Sequence, residues 1–180
     1  METTEPMSPV TSQVFYRSKL SFGLVNLKPI LPGHVLICPL RVVPRVADLS
    51  AEEIADLYLA VQKIGTVIER AYGGEALTIS TQDGPAAGQS VPHVHVHVLP
   101  RKPTDFNGEN DEVYPVLELA EDNLLDDHQS LARSNGEDRP RKKAGSIKVD
   151  ADENRPPRSL EDMEKEARWL EQLLAADRTA

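Results

Sequence analysis

Apolar residues crowd positions 14–102, and their period changes along that stretch. Val14–Tyr16 and Ser21–Leu27 read as strands, and His34–Pro39 reads as a third. Between the last two lies Pro32-Gly33, suited to a type II turn because proline presets φ and glycine accepts φ > 0. The pattern predicts a hairpin. Ser50-Ala51-Glu52-Glu53 has the form of a capping box. Behind it Ile54, Leu57, Tyr58, Val61, Ile64, Val67 and Ile68 recur at helical spacing, and Gly73-Gly74 predicts the stop. Ala76–Gln82 is a predicted strand, Asp83–Ser90 a Gly/Pro loop, and Pro92–Pro100 the final strand. Ser159-Leu160-Glu161-Asp162 predicts a last helix with Leu160, Met163, Ala167, Leu170 and Leu174 on one face. Hairpins with few helices predict an α+β fold, an antiparallel sheet of about five strands with a long helix and a C-terminal helix. No Gly-x-Gly-x-x-Gly or Walker-type loop is present, which closes two common routes to a nucleotide site.

Composition divides the chain further. Residues 1–13 predict a flexible arm, 14–120 the globular domain, and 121–158 a disordered insert. In the insert acidic runs flank Arg139-Pro140-Arg141-Lys142-Lys143, and residues 159–180 predict a helix that docks back. The 39% apolar content is enough for one real core. A net charge of −9 disfavours nucleic acid or an anionic membrane as the main partner. It permits a small anion held by local donors. Cys38 is the single cysteine, so a disulfide within the chain and a cysteine-rich zinc site are both out of reach. The start lacks a basic and apolar leader, and no run approaches the roughly 20 apolar residues of a membrane span. The expectation is a soluble protein of the cytoplasm, with the nucleus as a second compartment.

The chemistry concentrates in His93-Val94-His95-Val96-His97. Strand period places His93, His95, His97 and Leu99 on one face and Val94, Val96 and Val98 on the other. Three readings stay open on the residues alone. The histidines form a polar strand face; or two of them share a zinc ion with His34 as a further ligand; or they act as nucleophile and acid/base, since imidazole titrates near neutrality. The loop Gln82-Asp83-Gly84-Pro85-Ala86-Ala87-Gly88-Gln89-Ser90 favours the third. It is rich in amide and hydroxyl groups, and its glycines let backbone N–H groups approach an anion.

His93-Val94-His95-Val96-His97-Val98-Leu99 fits the His-φ-His-φ-His-φ-φ signature and resembles the histidine-triad (HIT) superfamily. Gln82-Asp83-Gly84-Pro85, Gly88-Gln89, Leu24-Val25-Asn26-Leu27-Lys28-Pro29 and the closing Leu99-Pro100-Arg101-Lys102 are similar to its Fhit branch, the dinucleoside triphosphate hydrolases. The similarity runs over about residues 14–120, and Arg155–Leu170 resembles the C-terminal helix of fungal members. Histidine at position 97, where the nucleotidyltransferase branch has glutamine, favours water as acceptor.

The resemblance implies a HIT-like fold, a homodimer joining two sheets and their helices, and cleavage of diadenosine triphosphate to AMP and ADP. His95 would attack the α-phosphorus to give a nucleotidyl-histidine. His97 would hydrogen-bond phosphate oxygens or assist the leaving oxygen. His93 would hold the tautomer of His95, with His34 behind it. Asn26 would bind ribose; Gln82, Gln89 and Ser90, with the backbone of Gly88 and Val91, would hold phosphates; Phe22 and Leu24 would line the base pocket. No metal ligand set is expected, though Mg²⁺ or Mn²⁺ would assist by neutralising substrate phosphates. Two alternatives share this site. One is asymmetric hydrolysis of diadenosine tetraphosphate to AMP and ATP. The other is a nucleotide sensor, in which Tyr114 occupies the place of a tyrosine in a mobile loop.

Overall fold

The computed structural model describes residues 11–120 and 158–177. The expectations for the flexible arm over 1–10 and for the insert over 121–157 lie outside the described residues. Five strands form one antiparallel sheet: β1 Val14–Arg17, β2 Ser21–Val25, β3 Val35–Pro39, β4 Ala76–Ser80 and β5 Val96–Arg101, in the order β1-β2-β3-β5-β4. Among the described residues three α-helices accompany it: α1 Ala51–Ala71, α2 over residues 113–120, and α3 Leu160–Asp177.

Local chemistry sets these boundaries. Ser50 Oγ accepts from the Glu53 N–H at 3.2 Å and the Glu53 carboxylate accepts from the Ser50 N–H at 2.8 Å, which fixes the start of α1. Arg41 grips that carboxylate at 2.7 and 2.8 Å and holds the Glu53 pKa down at about 2. Gly73 takes φ +66° just past the helix, as a left-handed cap requires. In the β2–β3 turn Gly33 has φ +86° and the His34 N–H reaches Leu31 O at 3.1 Å, the closure of a type II turn.

Helices α1 and α3 cover one face of the sheet. Val25, Val35, Ile37, Val94, Val96 and Val98 meet Leu57, Val61, Ile64 and Ile68 of α1 in one buried cluster. Met163, Ala167, Leu170 and Leu174 of α3 complete it. Each fully buried aliphatic side chain contributes about 1.5–3 kcal/mol. Gly23 permits this packing, because a Cβ there would lie 2.9 Å from the Ile64 side chain. The opposite face carries two smaller clusters. One is Leu24, Leu36 and Cys38; the other joins Leu99 and Ile30 to Val113, Val116 and Leu117 around α2.

Several expected boundaries shift. The last strand begins at Val96, not Pro92, so His93 and His95 lie on the segment that enters it. The cause is local. β3 ends at Pro39, which has no N–H for a ladder, and the Val94 N–H instead pairs with Val43 O at 2.8 Å. The fourth strand stops at Ser80 and the second at Val25. Thr11–Gln13 forms a short 3₁₀ turn with Gln13 buried, so the end of the expected arm is part of the fold. Tyr114 is exposed but stands on α2, not in a loop.

Candidate active site

The face opposite α1 gathers the polar residues. Across neighbouring strands Val14, Leu24, Leu36 and His97 pair in one row, which Ser80 of β4 extends. From Val14 to His97 is three strand spacings, about 14 Å. Phe22 and Cys38 pair in the adjoining row. An apolar shelf thus runs up to the histidines. Burial pushes the Cys38 thiol up to about 12, so it serves the shelf as a small apolar group and not as a nucleophile.

Hydrogen bonds assign the imidazole protons. His95 Nδ1 lies 2.8 Å from the His93 carbonyl oxygen. A carbonyl only accepts, so Nδ1 carries the proton and the lone pair of His95 sits on Nε2. His34 Nδ1 lies 3.2 Å from the Ile30 N–H and must accept it. His34 Nε2 therefore carries its proton and donates to His97 Nδ1 at 2.9 Å. The proton of His97 is left on Nε2. His95 and His97 rings meet edge to face, 5.2 Å between centroids. A nitrogen lone pair and an N–H donor are thus fixed side by side, on rings that are 4% and 1% exposed.

Asn26 joins this chain. Its Oδ1 accepts from the Lys28 N–H at 2.9 Å, which turns Nδ2 toward His34 Nε2 at 3.4 Å. Both atoms bear protons in this tautomer, so the pair is a contact and not a hydrogen bond.

Two expected roles change. His34 stands behind His97, not behind His93, because β3 pairs with β5 so that Leu36 opposes His97. His93 holds His95 through its carbonyl and not through its ring. The ring turns away and donates from Nε2 to Pro39 O at 2.9 Å. Burial lowers the pKa of His93, partly offset by that bond and helped by the neighbouring His95.

The glycine loop is also built differently from the expectation. The Gly88 N–H is spent on Pro85 O and the Gln89 N–H on Gly84 O, both at 3.1 Å. The Gln89 side chain accepts from the Gly84 N–H at 3.0 Å and donates to Pro44 O at 2.9 Å. Gly88 and Gln89 therefore brace the loop, and Gly84 at φ +103° and Gly88 at φ +89° supply its left-handed turns. Asp83 anchors it, accepting from the Val46 N–H at 2.8 Å and pairing with Arg45 at 3.2 Å. Gln82 is not used in this bracing. Gln82 is buried, and its Oε1 has no hydrogen-bond partner among the described residues. No group of three or more His, Cys, Asp and Glu residues among those described is arranged to hold a metal ion.

Sequence reasoning missed Val14, Leu36 and Cys38 as shelf residues. Period two from Leu24 and Phe22 marks their face, but only strand pairing brings β1 and β3 beside them.

A held lone pair next to a held proton, on one edge of an apolar shelf, defines a histidine-triad site. A family model described as "HIT domain" matches residues 8–104, and the chain belongs to that family. It is 53% identical over 163 residues to the asymmetrical bis(5'-nucleosyl)-tetraphosphatase of Schizosaccharomyces pombe, covering 90% of this chain and 88% of that one. It is 44% identical over 155 residues to the bifunctional bis(5'-adenosyl)-triphosphatase/adenylylsulfatase FHIT of Arabidopsis thaliana, covering 86% and 74%. Among solved structures, the Plasmodium falciparum diadenosine triphosphate hydrolase in complex with cyclomarin A superposes with a TM-score of 0.62 at 27% identity, covering 92% of this chain and 78% of that one. The five-stranded antiparallel sheet with its helices is the fold of these neighbours.

Proposed function

We propose that this protein hydrolyses dinucleoside polyphosphates, cleaving diadenosine triphosphate to AMP and ADP. The observation that carries this reading is the His93 carbonyl on His95 Nδ1, which leaves Nε2 as a nucleophile of fixed direction. In the first step that lone pair attacks the α-phosphorus, a P–N bond forms, and the bond to the bridging oxygen of ADP breaks. His97, with its proton on Nε2, donates to the phosphoryl oxygens or the leaving oxygen as charge grows there. In the second step water displaces His95 and releases AMP. Dividing one displacement into two is covalent catalysis, and the relay through His34 keeps His97 a donor in both halves. Asn26 directs its amide protons to ribose hydroxyls. Gln82, Ser90 and the Val91 backbone take the phosphates. The base lies on Phe22 and Leu24, with Val14, Leu36 and Cys38 extending that shelf. Mg²⁺ or Mn²⁺ enters with the substrate phosphates.

The test is trapping. Enzyme quenched in alkali after mixing with radiolabelled substrate should carry acid-labile AMP on His95 alone, and His95→Ala should trap none and turn over nothing. Label on another residue, or turnover by His95→Ala at the parent rate, refutes the mechanism. A second reading is supported by the name of the fission-yeast relative: asymmetric cleavage of the tetraphosphate to AMP and ATP. Both substrates present the same α-phosphate to His95, so comparing kcat/KM on the two decides between them.

We further propose a homodimer built at the outer edge of β4. This edge strand exposes Ile79, and α1 exposes Tyr58 and Leu59. An unpaired strand edge with apolar neighbours is a ready template for a second copy.

A further inference from the structure

Arg158, two residues before α3, grips the Asn26 segment. Arg158 donates through its own backbone N–H to Leu27 O at 3.1 Å, and through Nη2 to the Asn26 carbonyl. Two consecutive carbonyls of one loop are therefore gripped by one residue from the far end of the chain. The guanidinium is not left to itself. Nη1 pairs with the Glu166 carboxylate at 2.5 Å, and the other oxygen of that carboxylate accepts from the Tyr72 hydroxyl at 2.5 Å. Tyr72 lies at the end of α1 and meets Trp169 of α3 edge to face at 5.4 Å. Most of this network is sheltered, the Arg158 and Glu166 side chains being 23% and 17% exposed.

We infer that Arg158 is a positioning residue for nucleotide binding, acting through Asn26 by fixing its main chain with the Glu166–Tyr72 brace behind it. This rests on the reading of Asn26 as a ribose contact. The geometry gives the reason. The Asn26 side chain is oriented at one end by the Lys28 N–H, and that turn holds its direction only if the backbone carrying it is fixed. The Asn26 and Leu27 carbonyls, on the rear of the same segment, have Arg158 as their partner. Arg158 does not touch the histidines in this arrangement. Its loss should weaken binding of ground state and transition state alike, which raises KM and leaves kcat.

Steady-state kinetics on diadenosine triphosphate with the full chain test this. Turnover by the parent protein tests the functional reading, and the variants test Arg158. Arg158→Gln should raise KM roughly tenfold, the worth of a hydrogen bond from a charged donor, with kcat and its pH profile unchanged. Arg158→Lys keeps the charge and the backbone N–H but not the forked grip, so its KM should fall between. Asn26→Ala should raise KM too, and the double variant Arg158→Gln/Asn26→Ala should match Asn26→Ala alone, because both act through one contact. A merely structural brace would give a double variant whose losses multiply, or a fall in kcat with the thermal midpoint. Either of these, or a KM for Arg158→Gln within about twofold of the parent, overturns the proposal. If Arg158→Gln does not fold, Arg158→Lys carries the same comparison against Asn26→Ala.

Discussion

His34 stands behind His97, and its removal should cost rate. The ring is 1% exposed and makes two directional bonds, accepting from the Ile30 N–H at 3.2 Å and donating to His97 Nδ1 at 2.9 Å. His34→Phe keeps a flat ring in the space and removes both bonds. The Ile30 N–H and His97 Nδ1 then each lose a buried hydrogen bond, at about 1–3 kcal/mol each, which should appear as a lower midpoint in urea followed by Trp169 fluorescence. The chemical effect is separate. His97 loses the donor that fixes its ring angle and keeps its proton on Nε2. A neutral hydrogen bond of about 1 kcal/mol, strengthened as His97 gives up its proton, corresponds to a roughly five- to tenfold fall in kcat. KM should stay near the parent value. His34→Gln offers an amide oxygen to Ile30 and an amide N–H to His97, spaced much as the two ring nitrogens are. It should recover kcat to within about threefold. Both variants are assayed by chromatographic separation of AMP and ADP from diadenosine triphosphate. A folded His34→Phe protein with the parent kcat would show that His97 does not depend on this relay.

Two further outcomes concern pH and assembly. Burial holds the His93 imidazole below its ordinary 6.5, so the unfolded chain takes up its proton first as pH falls. The contribution of His93 is therefore complete above pH 6.5 and is lost as pH falls from there toward the lowered native value. Urea midpoints measured from roughly pH 5 to 8 should drop on the acid side for the parent and drop less for His93→Gln; equal slopes would refute the assignment. The proposed dimer predicts sedimentation at twice the monomer mass, with Leu59→Arg sedimenting as a monomer. A monomeric parent protein at micromolar concentration would remove the β4 edge from consideration.

The helices were the most legible part of the sequence. Ser50 and Glu53 announce α1 because a capping box is a local device whose partners lie three residues apart. Gly33 and Gly73 mark their turns for the same reason. Period two also found the apolar face, since Val94, Val96 and Val98 all reach the core under α1. It failed where a long-range partner decides. The strand was expected to include His93 because alternation continues through it, but Pro39 ends the ladder from the opposite strand, 54 residues away. His34 was assigned to the wrong triad member because register, not spacing, selects its neighbour. Gly88 and Gln89 look like phosphate ligands by residue type alone; only the fold shows that they also hold the loop closed. Arg158 gave no signal, because its target carbonyl lies 132 positions earlier.

The way the triad nitrogens are held bears on how an acidic protein handles an anionic substrate. Many catalytic histidines are oriented by a carboxylate on Nδ1, which also steadies the imidazolium. Here the partner of His95 Nδ1 is a peptide carbonyl, and the partner of His97 Nδ1 is an imidazole held in turn by a peptide N–H. These groups fix tautomers with dipoles and add no charge. A carboxylate in either place would set a full negative charge close to the incoming phosphates, in surroundings where such repulsion is poorly screened. Asp83, the acid of the neighbouring loop, is offset by Arg45 and the Val46 N–H, which hold its pKa below the usual carboxylate range. With a net charge of −9 over the chain, attraction for the substrate has to come from the site itself. In the mechanism proposed above, orientation by neutral dipoles would hold the lone pair of His95 and the proton of His97 in place without setting a negative charge beside the phosphate chain.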